Sequence, residues 1–110
     1  ISDALLPGPQ LELIKKFIPA VKTIGIVYNP GETNSVKAVS QLQDEAKKQG
    51  LILIVATADK SSDVISATNN LIGKVDAIYI PNDNTAVAAI ESIVGIGKKH
   101  KVPVFAGDAG

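Results

Sequence analysis

Residues 23–35 read Thr-Ile-Gly-Ile-Val-Tyr-Asn-Pro-Gly-Glu-Thr-Asn-Ser, and this stretch restricts the fold more than any other in the chain. Ile24, Ile26, Val27 and Tyr28 form an apolar run without polar alternation, the pattern of a strand covered on both faces. Asn29-Pro30-Gly31 ends the run, because proline cannot donate to a ladder and glycine tolerates positive φ. Thr33, Asn34 and Ser35 stand just before a helical pattern, as N-cap candidates where backbone N–H groups lack helical partners. A buried parallel strand leading through a polar loop into a helix start is where open α/β sheets bind ligands.

The same alternation continues along the chain. Residues 1–9, with Pro7 and Pro9 around Gly8, read as a lead-in that holds no helix. A first helix is expected over 10–18, with Leu11, Ile14, Phe17 and Ile18 on one stripe, ended by Pro19. A second is expected over 34–49, with Val36, Val39, Leu42 and Ala46 inward and Gly50 as its C′ residue. Residues 51–56 read as a second buried strand. Ser61, Ser62 and Asp63 offer caps for a third helix over 64–72, closed by Gly73. A third strand, 76–80, leads through 81–85 into a fourth helix over 85–99, with Val87, Ala88, Ile90 and Val94 inward. Gly95 and Gly97 weaken that helix, each by up to about 1 kcal/mol relative to alanine. A fourth strand occupies 102–106. Strands alternating with helices imply right-handed βαβ units. The expected architecture is an α/β three-layer sandwich of about four parallel strands in the order 2-1-3-4, flavodoxin-like or Rossmann-like. Its switch point lies between strands one and three.

Composition narrows the function. Lys plus Arg and Asp plus Glu balance at 11 each, which supplies no basic footprint for nucleic acid. The chain has no cysteine, so disulfides, thiolate chemistry and cysteine metal sites are excluded. Its apolar runs are strand-sized and span no membrane. The chain starts on Ile1 without methionine and stops on Gly110 after a strand, and reads as a piece of a larger protein. Within 110 residues it is one domain.

Parallel strands place all their C-terminal ends on one sheet edge, and three loops there are polar: 29–35, 81–85 and 107–108. Asp83, between Asn82 and Asn84 after a buried strand, can hold an ammonium group by charge-assisted hydrogen bonds. It can equally cap the fourth helix, as can Asn84. Asp108 has the same two readings after strand four. Asn29, Thr33, Asn34 and Ser35 can offer hydroxyl and amide groups to an anion beside the helix N–H groups. Tyr28 and Tyr79 read as core rings, and His100 as a surface residue. No catalytic motif, nucleophile–base pair or metal-ligand spacing is present, and no cofactor is implied.

Residues 10–19 followed by 23–35, then Gly-Lys-Val-Asp-Ala-Ile-Tyr-Ile-Pro-Asn-Asp-Asn-Thr at 73–85 and Val-Pro-Val-Phe-Ala-Gly-Asp at 102–108, carry a family resemblance. They resemble the periplasmic substrate-binding proteins of ABC transporters that handle aromatic and related amino acids. The resemblance implies a two-lobed clamshell without catalysis. This chain would be the second lobe, with hinge-adjacent segments at 1–9 and 107–110. It implies an amino acid such as tryptophan, tyrosine or phenylalanine as ligand, with Asp83 and Asp108 on the ammonium and Asn34 and Ser35 as donors. The other lobe and a transporter permease would be partners, and the location periplasmic or membrane-anchored outside the cell. A lone lobe exposes the face that meets its partner, which leaves weak homodimerisation open. Two alternatives share the architecture: a flavodoxin-like electron carrier holding flavin mononucleotide at 33–35, and the effector-binding domain of a transcription regulator. A phospho-receiver would need an acidic pair after strand one, where Tyr28-Asn29-Pro30 stands.

Overall fold

A computed structural model describes residues 7–81 and 84–106. The elements run α1 (Pro7–Phe17), β1 (Thr23–Tyr28), α2 (Thr33–Gln49), β2 (Ile52–Thr57), α3 (Ser61–Leu71), β3 (Ala77–Ile80), α4 (Asn84–Ala88), α5 (Ile90–His100) and β4 (Val104–Ala106). The four strands form one parallel sheet in the order β2-β1-β3-β4, as the alternation predicts.

Side chains leave successive strand residues on opposite faces, and the two cores follow from that period. Ile24 and Ile26 of β1, with Ala77 and Tyr79 of β3, meet Leu11 and Ile14 of α1 and Val39, Leu42 and Ala46 of α2. Val27, Ile78 and Ile80 point the other way, onto Val64, Ala67 and Leu71 of α3 and Ala86, Ala89 and Ile93 of the last two helices. Gly25 falls on this second face. A Cβ there would sit 2.9 Å from Leu71 Cδ1, so the glycine lets α3 lie close to the sheet.

Several expectations are corrected. Residues 7–9 belong to α1, because prolines in a first turn lack only an N–H that the helix does not use. Phe17 is 69% exposed rather than core, its ring tilted against Phe105 with centroids 5.6 Å apart. Ser35 takes the inward position expected of Val36, which is exposed. The strand expected to be buried at 51–56 is half-exposed through 53–56, because β2 is the sheet's edge and has a neighbour on one side only. Caps also shift: α2 starts after Glu32 and α3 after Lys60, both without a side-chain cap bond, and the polar residues expected as caps occupy the first turns.

The largest correction concerns 85–99. This is two helices, broken at Ala89, whose φ of −110° and ψ of 19° leave the helical region. Ala89 N–H donates to Ala86 O and closes α4 with a tight turn, and Ile93 N–H donates to Ala89 O to open α5. The break turns the buried stripe onto Ala86, Ala89, Ile93 and Gly97. Val87 and Ala88 are exposed, and Ile90 and Val94 half-buried. Small alanines let α4 reach β1 and α3 closely.

Candidate functional site

The C-terminal ends of the strands form one edge, and its loops are stitched to each other. After β1, Asn29 Oδ1 accepts from Gly31 N–H at 2.8 Å and Glu32 N–H donates to Asn29 O at 3.0 Å, so 29–32 is a closed Asx-type turn. Asn29 Nδ2 then donates to the backbone oxygen of Asp59, after β2, at 3.3 Å. It also donates to Thr85 Oγ1, in the first turn of α4, at 3.0 Å. The Thr85 hydroxyl donates to Glu32 Oε2 at 2.9 Å, and the Thr85 N–H donates to the same oxygen at 3.2 Å. One carboxylate oxygen thus accepts two hydrogen bonds from the start of α4, a charge-assisted arrangement that also suits the helix polarity.

The expected site residues divide by position. Asn29 is half-buried and supplies the stitching. Thr33 and Asn34 are exposed on the first turn of α2. Ser35, one residue on, is fully buried, and its Oγ has no hydrogen-bond partner. Asn84 opens α4. Asn82, Asp83 and Asp108 lie outside the described residues.

Glu32 and Thr85 were not among the expected residues, yet they join the loops after β1 and β3. A usable signal was available: these strands are neighbours at the switch point, so a carboxylate in one loop lies beside the helix start that follows the other. Tyr79 is a core residue, and burial pushes its phenol up to about 12. At the opposite sheet edge, Asp76 accepts from Lys22 N–H at 2.9 Å and Thr23 N–H at 3.2 Å, and these bonds hold its carboxyl below the usual range. His100 is exposed at the end of α5.

Among the described residues, cavities lie along the open sides of the sheet. One of about 510 Å³ is lined by Phe17, Val94, Gly97 and Phe105 beside β4. One of about 550 Å³ runs between β2 and α3, and one of about 400 Å³ between β2 and α2. Among the described residues, no group of three or more His, Asp or Glu can hold a metal ion. No helix of the described residues is long and apolar enough to cross a membrane.

Comparison with known proteins places this geometry in context. Residues 1–110 match the family model described as ABC transporter substrate binding protein. A tyrosine-binding protein of Clostridioides difficile (strain R20291) is 36% identical over 109 residues, covering 99% of this chain and 32% of that protein. A crystal structure of a conserved domain protein from Vibrio cholerae superposes with a TM-score of 0.88 at 46% identity, over 91% of this chain and 34% of that one. The structure of an ABC domain in complex with L-Trp from Streptococcus pneumonia gives a TM-score of 0.87 at 33% identity, over 92% of this chain and 34% of that one. The chain therefore spans about a third of the length of these relatives.

Proposed function

The chain belongs to the family of ABC transporter substrate-binding proteins, and from that membership we propose that it is one lobe, the second in chain order, of a two-lobed solute-binding protein. The ligand is an amino acid of the tyrosine, tryptophan or phenylalanine type. It is held where the C-terminal ends of the strands face the other lobe, by the loops at 29–35, 81–84 and 107–108. Asp83, with Asp108, takes the ligand ammonium. Thr33 and Asn34 donate from the exposed first turn of α2, and Asn82 and Asn84 complete the β3 loop. Ser35, expected as a third donor there, is buried on the inward side of α2 with no partner among the described residues, so it is not assigned to the ligand.

The role is capture and delivery without catalysis: closure of two lobes excludes water and strengthens each polar contact. The permease of an ABC transporter is the downstream partner, and the working location is outside the cytoplasm. The observation that carries the reading is the match of all 110 residues to a substrate-binding family, with relatives described as tyrosine-binding and as bound to L-Trp.

The test is titration calorimetry of the natural-length protein with L-tyrosine, L-tryptophan and L-phenylalanine. Saturable binding of at least one is expected, and Asp83→Ala should weaken it by at least about tenfold, since it removes the charge paired with the ammonium. No saturable heat with any of the three would sink the reading.

A further inference from the structure

We propose that Glu32, Thr85 and Asn29 are positioning residues, a brace that holds the start of α4 in fixed register with the loop after β1, so that a ligand meets these two elements already set relative to each other. The inference rests on the ligand-binding reading above. Asn29 has two amide protons, and they go to Asp59 O and to Thr85 Oγ1. Its Oδ1 accepts from Gly31 N–H. Both donors are committed to the neighbouring loops, so Asn29 holds those loops rather than donating to a ligand. Thr85 has one hydroxyl proton, and it goes to Glu32 together with the Thr85 N–H. The hydroxyl accepts one bond and donates another, so Asn29, Thr85 and Glu32 form a relay in which each bond polarises the next.

The relay spans 53 to 56 residues of sequence and joins the two strands that flank the switch point. The Pro81–Thr85 segment carries Asn82 and Asp83, the residues assigned above to the ligand, and Thr85 is its far anchor. With that anchor already fixed to the loop after β1, its position need not be set by the ligand, and the ordering cost of binding falls accordingly. Glu32 also places a carboxylate oxygen on the donors of Thr85. The start of α4 is therefore already served by an internal anion, and the carboxylate of an amino-acid ligand has to be met elsewhere.

The test uses the natural-length protein, with L-tyrosine and L-tryptophan as probes in titration calorimetry. Thr85→Val removes the hydroxyl and keeps the branched shape, whereas Thr85→Ser keeps the hydroxyl. The dissociation constant should rise about tenfold in Thr85→Val, the scale of one lost charge-assisted bond, and stay within about threefold of wild type in Thr85→Ser. Melting of the unliganded variants separates this from simple destabilisation. Hydrogen exchange adds a local readout: the Thr85 amide is slow in wild type and fast in Glu32→Ala, while the Ile78 and Tyr79 amides stay slow in both. Wild-type affinity in folded Thr85→Val overturns the brace and leaves the ligand-binding reading standing. If Thr85→Val does not fold, Glu32→Gln is judged by the same affinity criterion. If the wild type binds neither probe, L-phenylalanine replaces them; if that too gives no saturable heat, the ligand-binding reading fails instead, and exchange decides the brace alone, a fast Thr85 amide in wild type overturning it.

Discussion

Replacing Gly97 with alanine should destabilise the protein, although the same change at Gly95 should stabilise it. Both glycines lie inside α5, where helix propensity by itself favours alanine by about 0.8–1.0 kcal/mol. Gly95 is exposed, and a Cβ built on it meets nothing within 4 Å, so Gly95→Ala should gain close to that full amount. Gly97 is buried, and a Cβ there would stand 2.6 Å from Val102 O and 2.7 Å from Val104 Cγ2. Neither neighbour moves freely. Val102 N–H donates to Gly97 O at 2.8 Å, and Pro103 O accepts from Ile78 N–H at 2.9 Å, which ties this backbone to β3. Overpacking costs about 1–3 kcal/mol, and a clash this short against a backbone oxygen belongs to the upper part of that range, about 2–3 kcal/mol, so the net loss after the propensity gain is about 1–2 kcal/mol. The two variants should then differ by about 2–3 kcal/mol in opposite directions around wild type. Urea denaturation followed by far-ultraviolet circular dichroism measures this, provided the slope of the transition is unchanged. Gly97→Ala at wild-type stability or above would refute the close approach of α5 to β4. A neutral Gly95→Ala would refute the propensity argument.

Ser35→Ala should raise the stability of the ligand-free protein by about 1 kcal/mol, because it removes a buried hydroxyl without a partner. A thermal melt of the variant beside wild type reads the gain. Asp76→Asn should lower stability at neutral pH, and the difference from wild type should shrink as pH falls through the folded value of the Asp76 carboxyl. The two backbone N–H groups depress the Asp76 carboxyl in the fold, so its contribution is present above the ordinary value of 3.8 and lost as pH falls through the folded value. Denaturation curves of both proteins at a series of pH values give the difference directly. Tyr79 works in the opposite range: its phenol ionises near 10.0 when unfolded and at about 12 in the fold, so its contribution to stability falls as pH rises between them. Tyr79→Phe should lose less stability over that interval, as followed by alkaline denaturation.

Sequence by itself determined the elements that rest on neighbours in the chain. Unalternating apolar runs at 23–28 and 76–80 mark strands buried on both faces, and their alternation with helical stripes leaves few parallel-sheet orders, of which 2-1-3-4 is the one found. The end of α2 was equally local. Gly50 adopts a φ of 73° and, with Leu51, returns hydrogen bonds to Lys47 O and Ala46 O, as a glycine after a helical stripe suggests. The end of α5 falls at His100, one residue past the expected 99, although Lys101 and not a glycine fills the left-handed position there at φ 59°. Only the tertiary structure decided which face of 84–100 is buried, since the break at Ala89 answers to the space left by β1 and α3, not to the period of its own residues. It likewise made β2 an edge, Gly97 a contact and Phe17 a surface ring. The loop edge shows the same division. Turn residues at 29–31 and polar residues at 33–35 and 81–85 marked the loop edge that is proposed above to meet a ligand. The bonds from Asn29 and Glu32 to Thr85 join residues more than 50 positions apart, and such bonds exist only once the sheet has set β1 beside β3.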